Sequence, residues 1–228
     1  MTRRRVNNPL ALAVLSCLTE RPMHPYEIST TLRTRGKEAS IKLNYGSLYS
    51  VVESLQKHGL VAVREVVREG RRPERTVYEI TPAGQDEFED WLAELLSTPQ
   101  HDPTSLESAL SLMPGLPPGE VVRLLGERAE RLRTDLRSLD AMFSVSEERG
   151  LPELFLVESR YRRCLLSAEL DFVTLLVRDI GAGTFTGTTA WRRLHELRDG
   201  GMSWDEVMAD PVRHLGEEGR VLVTPQTD

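Results

Sequence analysis

The sequence predicts a mainly α-helical protein with one small β-hairpin, and three patterns in its 228 residues carry that expectation. Apolar residues recur at spacings of three and four through most of the chain, as on one-sided helices. The period drops to two only around residues 60–81, where two β-rich stretches flank a loop of Gly, Pro and Arg. From Val122 to Phe143 seven apolar positions are spaced 3, 4, 3, 4, 3, 4, an unbroken heptad seam.

Each element follows from local chemistry. Asn8 before Pro9 marks a helix start, because Asn caps free backbone N–H groups and Pro is tolerated in the first turn. Leu10, Val14, Cys17 and Leu18 then give a first helix to about Thr19. "HPYEISTTLRTRG" (24–36) opens with Pro25 in its first turn, turns Ile28 and Leu32 inward and stops at Gly36. The third helix lies in "NYGSLYSVVESLQKHGLV" (44–61), with Leu48, Val51, Val52 and Leu55 on one side and His58-Gly59 as its stop. Its other side carries Gly46, Ser50, Glu53 and Lys57, flanked by Tyr49 and Ser54, and is sparsely charged for a face exposed to water. "LVAVREVV" (60–67) and "RTVYEIT" (75–81) are expected strands, and "REGRRPE" (68–74) is the projecting loop between them. Thr81-Pro82 caps a fourth helix with the stripe Phe88, Trp91, Leu92 and Leu95.

"STPQHDPTS" (97–105) marks a domain boundary, and "MPGLPPG" (113–119) breaks the chain again after a short helix. The heptad helix follows, with Val122, Leu125, Ala129, Leu132, Leu136, Leu139 and Phe143 in its seam. A second long helix, about 152–180, is apolar on two sides, and such a helix usually lies between neighbours. From residue 181 the periodicity fades. The expected domains are therefore 1–98, 104–182 and a tail at 183–228 with no assigned role, holding one helical segment at Trp191 to Leu197, a short one in "MSWDEVM" with Ser203 as its cap, and a loosely ordered end.

No apolar run approaches the roughly 20 residues that a membrane-spanning helix needs. "MTRRR" followed by "LALAVLSCL" imitates a secretion signal, but "TERPMHPYE" stands where small residues should mark a cleavage site. With only Cys17 and Cys164, both in apolar contexts, core packing and a reducing cytoplasm are expected, with Cys-based redox sensing as an alternative. The net charge of −6 hides an uneven distribution. Residues 1–81 hold 14 Lys+Arg against 8 Asp+Glu, a balance of +6, and residues 82–228 hold 15 against 27, a balance of −12. A basic N-terminal part points to a polyanionic partner, since phosphate contact depends on local charge.

Nothing here resembles an active site. The five His are scattered without metal-ligand spacing, and no P-loop, G-x-S-x-G or dinucleotide fingerprint occurs, so neither enzyme chemistry nor a cofactor is expected. Three helices followed by a β-hairpin instead make a winged helix-turn-helix, whose third helix enters the major groove of double-stranded DNA while the hairpin wing rests on the backbone. A groove-bound face should be small and weakly charged, which accounts for Gly46 and Ser50; Ser47, Tyr49 and Ser54 can donate to phosphates or base edges. Lys42, Lys57, Arg68, Arg71, Arg72 and Arg75 surround that face, and Arg3 to Arg5 form an arm; Glu53 has no evident role. One such domain reads few base pairs, so a homodimer on a palindromic operator is expected, with the heptad seam joining the two chains as an α-helical dimerisation domain; the alternative for the seam is a hairpin with helix 152–180 of the same chain. The alternative is a protein-interaction adaptor, which a charge balance near zero at residues 1–81 would have favoured.

"LALAVLSCLTERPMHPYEI", "YGSLYSVVESLQKHGLV" and "REGRRPERTVYEITPAG" together resemble, in order and spacing, the N-terminal domain of PadR-type transcriptional regulators, the phenolic-acid-response repressors. The resemblance is close over about residues 8–96 and looser beyond. It implies a repressor whose C-terminal helices make the dimer and whose operator complex is loosened by an effector. It maps DNA contacts onto Tyr26, Ser47, Tyr49 and the wing arginines. Many relatives have Gly where Pro25 stands and Pro where Ser50 stands. A small aromatic or amphipathic effector is expected between the fourth helix and the C-terminal helices, near Phe88, Trp91 and Phe172.

Overall fold

The structure, a computed structural model, describes residues 8–39, 41, 45–67, 75–99 and 104–222, and the chain divides into two compact units at His101/Asp102. The N-terminal unit is built on α1 (Pro9–Glu20), whose Leu10, Ala11, Ala13, Val14, Leu15, Cys17 and Leu18 are all buried. The apolar run that imitates a secretion signal is thus a central core helix. Asn8 caps it, its Oδ1 accepting the Leu10 N–H at 2.9 Å. Around it pack α2 (Pro25–Thr34), which buries Ile28 and Leu32, and α3 (Tyr45–Lys57), which buries Leu48, Val51, Val52 and Leu55.

Gly59, at φ +73°, reverses the chain after α3 into β1 (Val61–Val67), which pairs antiparallel with β2 (Arg75–Ile80). The register runs from Val61 opposite Ile80 to Val67 opposite Arg75, with an irregularity between Val63 and Glu65. The hairpin is tied to the helices from outside the ladder. Met23, just before α2, exchanges two backbone hydrogen bonds with Tyr78, each 3.0 Å. α4 (Pro82–Ser97) closes the unit with Trp91 in the core. Its start is anchored by Thr81, whose Oγ1 donates to the Gly59 carbonyl at 2.7 Å and accepts from the Gly84 N–H at 3.0 Å.

In the second unit α5 (Ser105–Ser111) precedes α6 (Pro118–Glu148), which forms an antiparallel hairpin with α7 (Val157–Ala182). The heptad seam, expected to join two chains, closes instead within one. Leu125 and Ala129 are buried in a cluster with Val173, Leu176 and Ile180 of α7; Leu132 is buried as well, while Val122, Leu136, Leu139 and Phe143 are half-buried. Ion pairs from Arg128 to Glu169 and from Arg163 to Asp140, each 2.6 Å, fasten the two helices along their length. The physical reason is proximity: a link of eight residues holds the helices together, so the closure entropy of the intrachain pair is small. What this leaves uncovered is the opposite face of α7, where Val157, Tyr161, Leu165, Phe172 and Leu175 are exposed.

Residues 183–222 are largely helical: α8 (Thr188–Asp199) extends the segment expected at 191–197, α9 (Trp204–Ala209) starts on Ser203 as expected, and α10 (Pro211–Leu215) lies where a loosely ordered end was expected. The Trp191 indole donates to the Leu116 carbonyl at 2.8 Å, and His195 Nε2 lies 2.9 Å from the Pro114 carbonyl oxygen. Both fasten α8 to the "MPGLPPG" turn. Glu218 returns from the C-terminal side to accept the N–H groups of Gly187 and Ala190, each at 3.0 Å, capping α8 where no adjacent side chain does. The sequence pattern missed this because the caps and anchors come from far along the chain.

Candidate nucleic-acid interface

The outward face of α3 is made by what its core stripe leaves over. With Leu48, Val51, Val52 and Leu55 pointing inward, Gly46, Ser47, Tyr49, Ser50, Glu53 and Lys57 are all exposed on one side. A face of glycine and serine around one aromatic ring presents little bulk, and the major groove, ~12 Å wide, admits a helix only when its exposed side chains are short or extended along the groove. Ser50 spends its hydroxyl proton inside the helix, donating to the Gly46 carbonyl at 3.1 Å, so its oxygen is left as an acceptor. Ser47, the Tyr49 phenol and the Lys57 ammonium are donors this face offers.

Tyr49 is held in place by a neighbour that the sequence reading did not single out. His24 is the N-cap of α2, its Nδ1 accepting the Tyr26 N–H at 3.1 Å while Glu27 accepts the His24 N–H at 2.9 Å. That bond fixes the tautomer, with the proton on Nε2. The His24 ring meets the Tyr49 ring edge to face, centroids 6.3 Å apart. Burial pushes His24 below its ordinary value, and the charge of Arg75 lowers it further against an opposing effect of Glu27. Tyr26, in the first turn of α2, is 59% exposed on the same cap.

Glu53, unassigned from the sequence, acts on the wing. Tyr78 of β2 is pushed above the usual phenol range by burial, then by the Glu53 carboxylate and by Tyr49. Glu53 thus lies within electrostatic reach of the root of the hairpin, where Tyr78 is bridged to Met23. On the hairpin itself Arg64 pairs with Glu79 across the strands at 3.2 Å, and Arg75 is exposed at the start of β2. Lys42, Arg68, Arg71 and Arg72, together with Arg3 to Arg5, lie outside the described residues.

Trp91 is 3% exposed within the core of the N-terminal unit and Phe88 packs against that core, while Phe172 is 51% exposed on α7 of the other unit. The two cysteines also part company. Cys17 is buried and its thiol is pushed up to about 11, chiefly by burial, so it stays protonated and unreactive. Cys164, expected to pack, is exposed, because the α6 contact takes the neighbouring face of α7.

A helix-turn-helix whose third helix shows a small polar face, with an antiparallel hairpin bridged to it through Met23 and Tyr78, is a winged helix-turn-helix. Residues 14–90 match the model of the transcriptional regulator PadR-like family. Among solved structures it is similar to Bacillus subtilis PadR in complex with operator DNA, with 18% identity over 76% of this chain and 98% of that one and a TM-score of 0.54. It is similar also to the Vibrio cholerae virulence activator AphA, with 16% identity over 76% of this chain and 98% of that one and a TM-score of 0.56. At these identities the likeness concerns the fold. No curated protein matches the chain by sequence.

Proposed function

We propose that this regulator binds double-stranded DNA through α3 and the wing, as a homodimer on a palindromic operator, and represses transcription until a small ligand releases it. The observation that carries the reading is the exposed face of α3, small and nearly uncharged within a part of the chain whose balance is +6. A face of this kind fits a groove, and the basic surroundings fit its phosphate walls. B. subtilis PadR, solved in complex with operator DNA, lends support to the same reading by likeness of fold.

In this reading the dimer contact runs through α7 rather than the α6 seam. Its outer stripe of Val157, Tyr161, Leu165, Phe172 and Leu175 is an extended apolar patch of the sort that monomers rarely leave in water. An isologous contact through it would join two DNA-binding units, the symmetry that a palindromic operator matches. Ligand response in the cytoplasm completes the proposal.

The test is fluorescence anisotropy with a labelled duplex taken from upstream of the protein's own coding sequence. A complex of two chains per duplex is expected, weakening steeply between about 50 and 200 mM salt. Equal affinity for a scrambled duplex would overturn sequence-specific regulation.

A further inference from the structure

His24 touches both tyrosines expected at DNA. Its Nδ1 accepts the Tyr26 N–H at 3.1 Å, and its ring meets the Tyr49 ring with centroids 6.3 Å apart. Both tyrosines are exposed, while the imidazole that contacts them is half-buried. Glu27 closes the capping box by accepting the His24 N–H at 2.9 Å, which fixes the backbone from which the ring projects. The ring itself has little freedom. Half a turn about χ2 would exchange Nδ1 with a carbon and leave the Tyr26 N–H without its acceptor. The one orientation that caps α2 is therefore also the one that meets Tyr49.

We infer that His24 is a positioning residue for sequence readout: its neutral imidazole holds Tyr49 in the orientation that reads the operator, and protonation of Nδ1 releases it. This rests on the DNA-binding reading of α3 above. Accepting the Tyr26 N–H needs a lone pair on Nδ1, whereas an imidazolium carries protons on both nitrogens, so two donors would oppose each other across 3.1 Å. The ring must turn or withdraw, and Tyr49 then loses the neighbour that restricts its side chain. Charged groups on three elements surround the ring. On α2 Glu27 favours the proton, and Arg21, just before that helix, pairs with Glu27 at 3.5 Å. On β2 Arg75 opposes the proton, and the Tyr78 phenol belongs to the residue bridged to Met23, next to His24. On α3 stand Tyr49 itself and Glu53, whose carboxylate acts on Tyr78. Burial and Arg75 together outweigh Glu27, so the neutral ring is the form present at about neutral pH. Protonation then has opposite consequences for two kinds of DNA contact. The new positive charge favours any phosphate backbone, while the freed Tyr49 loses its base edge. Acid therefore erodes specificity without eroding affinity for DNA in general.

Fluorescence anisotropy of the full-length protein with the upstream duplex and with a scrambled one, from about pH 7.5 to about pH 5.0, reads the ratio of the two affinities. For the wild type the ratio is expected to fall about fivefold on acidification, the worth of one hydrogen bond, with scrambled-duplex affinity unchanged or higher. Tyr49→Phe lacks the phenolic donor, so its ratio should start about fivefold lower and stay flat. His24→Asn caps a helix without titrating and has no ring, so its ratio should likewise be low and flat, with helicity by circular dichroism retained. A wild-type ratio that holds steady in acid, or a His24→Asn ratio equal to the wild type at the upper pH, overturns the role of His24. A fall in Tyr49→Phe as large as in the wild type also overturns it, since the proton would then act through another contact. Where acid weakens binding to both duplexes in step, the fold and not the reading is lost, and the inference falls. Equal affinity for the two duplexes at the upper pH overturns instead the sequence-specific reading on which it rests.

Discussion

Tyr49 on α3 stands edge-on to His24, the residue that caps the helix before it, with the two ring planes at 72°. One imidazole therefore serves two helices: its Nδ1 holds the start of α2 and its ring face or edge fixes the aromatic side chain that α3 presents outward.

This arrangement makes the domain pH-sensitive in a definite direction. His24 is held below the ordinary histidine value of 6.5 by burial and by Arg75 on β2, with Glu27 opposing. The folded state thus binds a proton less readily than the unfolded one, so the contribution to stability is complete above pH 6.5 and is lost as pH falls towards the lowered value. Protonating Nδ1 also removes the acceptor that caps α2. Urea unfolding at pH 5.0 and 7.5 should show the loss in the wild type and a smaller one in His24→Asn, because Asn caps a helix without titrating. Equal pH dependence in the two proteins would mean that His24 is not the group responsible.

Gly84 is expected to tolerate no side chain. A Cβ built there would lie 1.9 Å from the Leu60 carbonyl oxygen and 2.9 Å from Ile80 Cγ1, and the first of these is backbone pinned by the Thr81 N–H at 3.1 Å. Gly84→Ala should cost about 1–3 kcal/mol in chemical unfolding, the usual range for overpacking. A change within about 0.5 kcal/mol would show that α4 can slide away from the end of α3.

The N-terminal unit was legible in the sequence because its signals are local. Asn8, Thr81 and Gly59 act within a few residues of where they stand, and the stripe on α3 is read from spacing alone. What escaped notice depends on contacts across the chain: His24 with Tyr49, Glu53 near Tyr78, and Glu218 capping α8 from 28 and 31 residues away. The α6 seam was visible as a seam, yet spacing states only that a partner exists. Whether that partner is α7 of the same chain or a second copy depends on the length of the link between the helices and on which face of α7 each would take.

The two apolar faces of the α6–α7 hairpin can be separated by substitution. Leu165, 53% exposed on the outer stripe, should convert the protein to a monomer when changed to Glu, with helicity by circular dichroism retained. Leu125, buried between α6 and α7, should leave association intact when changed to Ala but cost about 2–4 kcal/mol of stability. Light scattering and urea unfolding on the same samples distinguish them. A dimer that survives Leu165→Glu would place the contact elsewhere.

The operator contacts give the last prediction, and it separates reading from positioning. Tyr49 is 45% exposed, and its ring is braced by His24, so Tyr49→Phe keeps the brace while removing the phenolic donor. Loss of one hydrogen bond to a base edge or phosphate should weaken operator binding by about 1 kcal/mol, roughly fivefold, with the dimer unchanged. Arg72→Ala, in the wing loop, should weaken binding to operator and scrambled duplex alike and reduce the salt slope by about one, as expected for a phosphate contact. The two effects differ in kind, so anisotropy across a salt series on both duplexes tells them apart. If Tyr49→Phe lost affinity equally for both duplexes, α3 would be gripping the backbone and sequence would be read by another part of the domain.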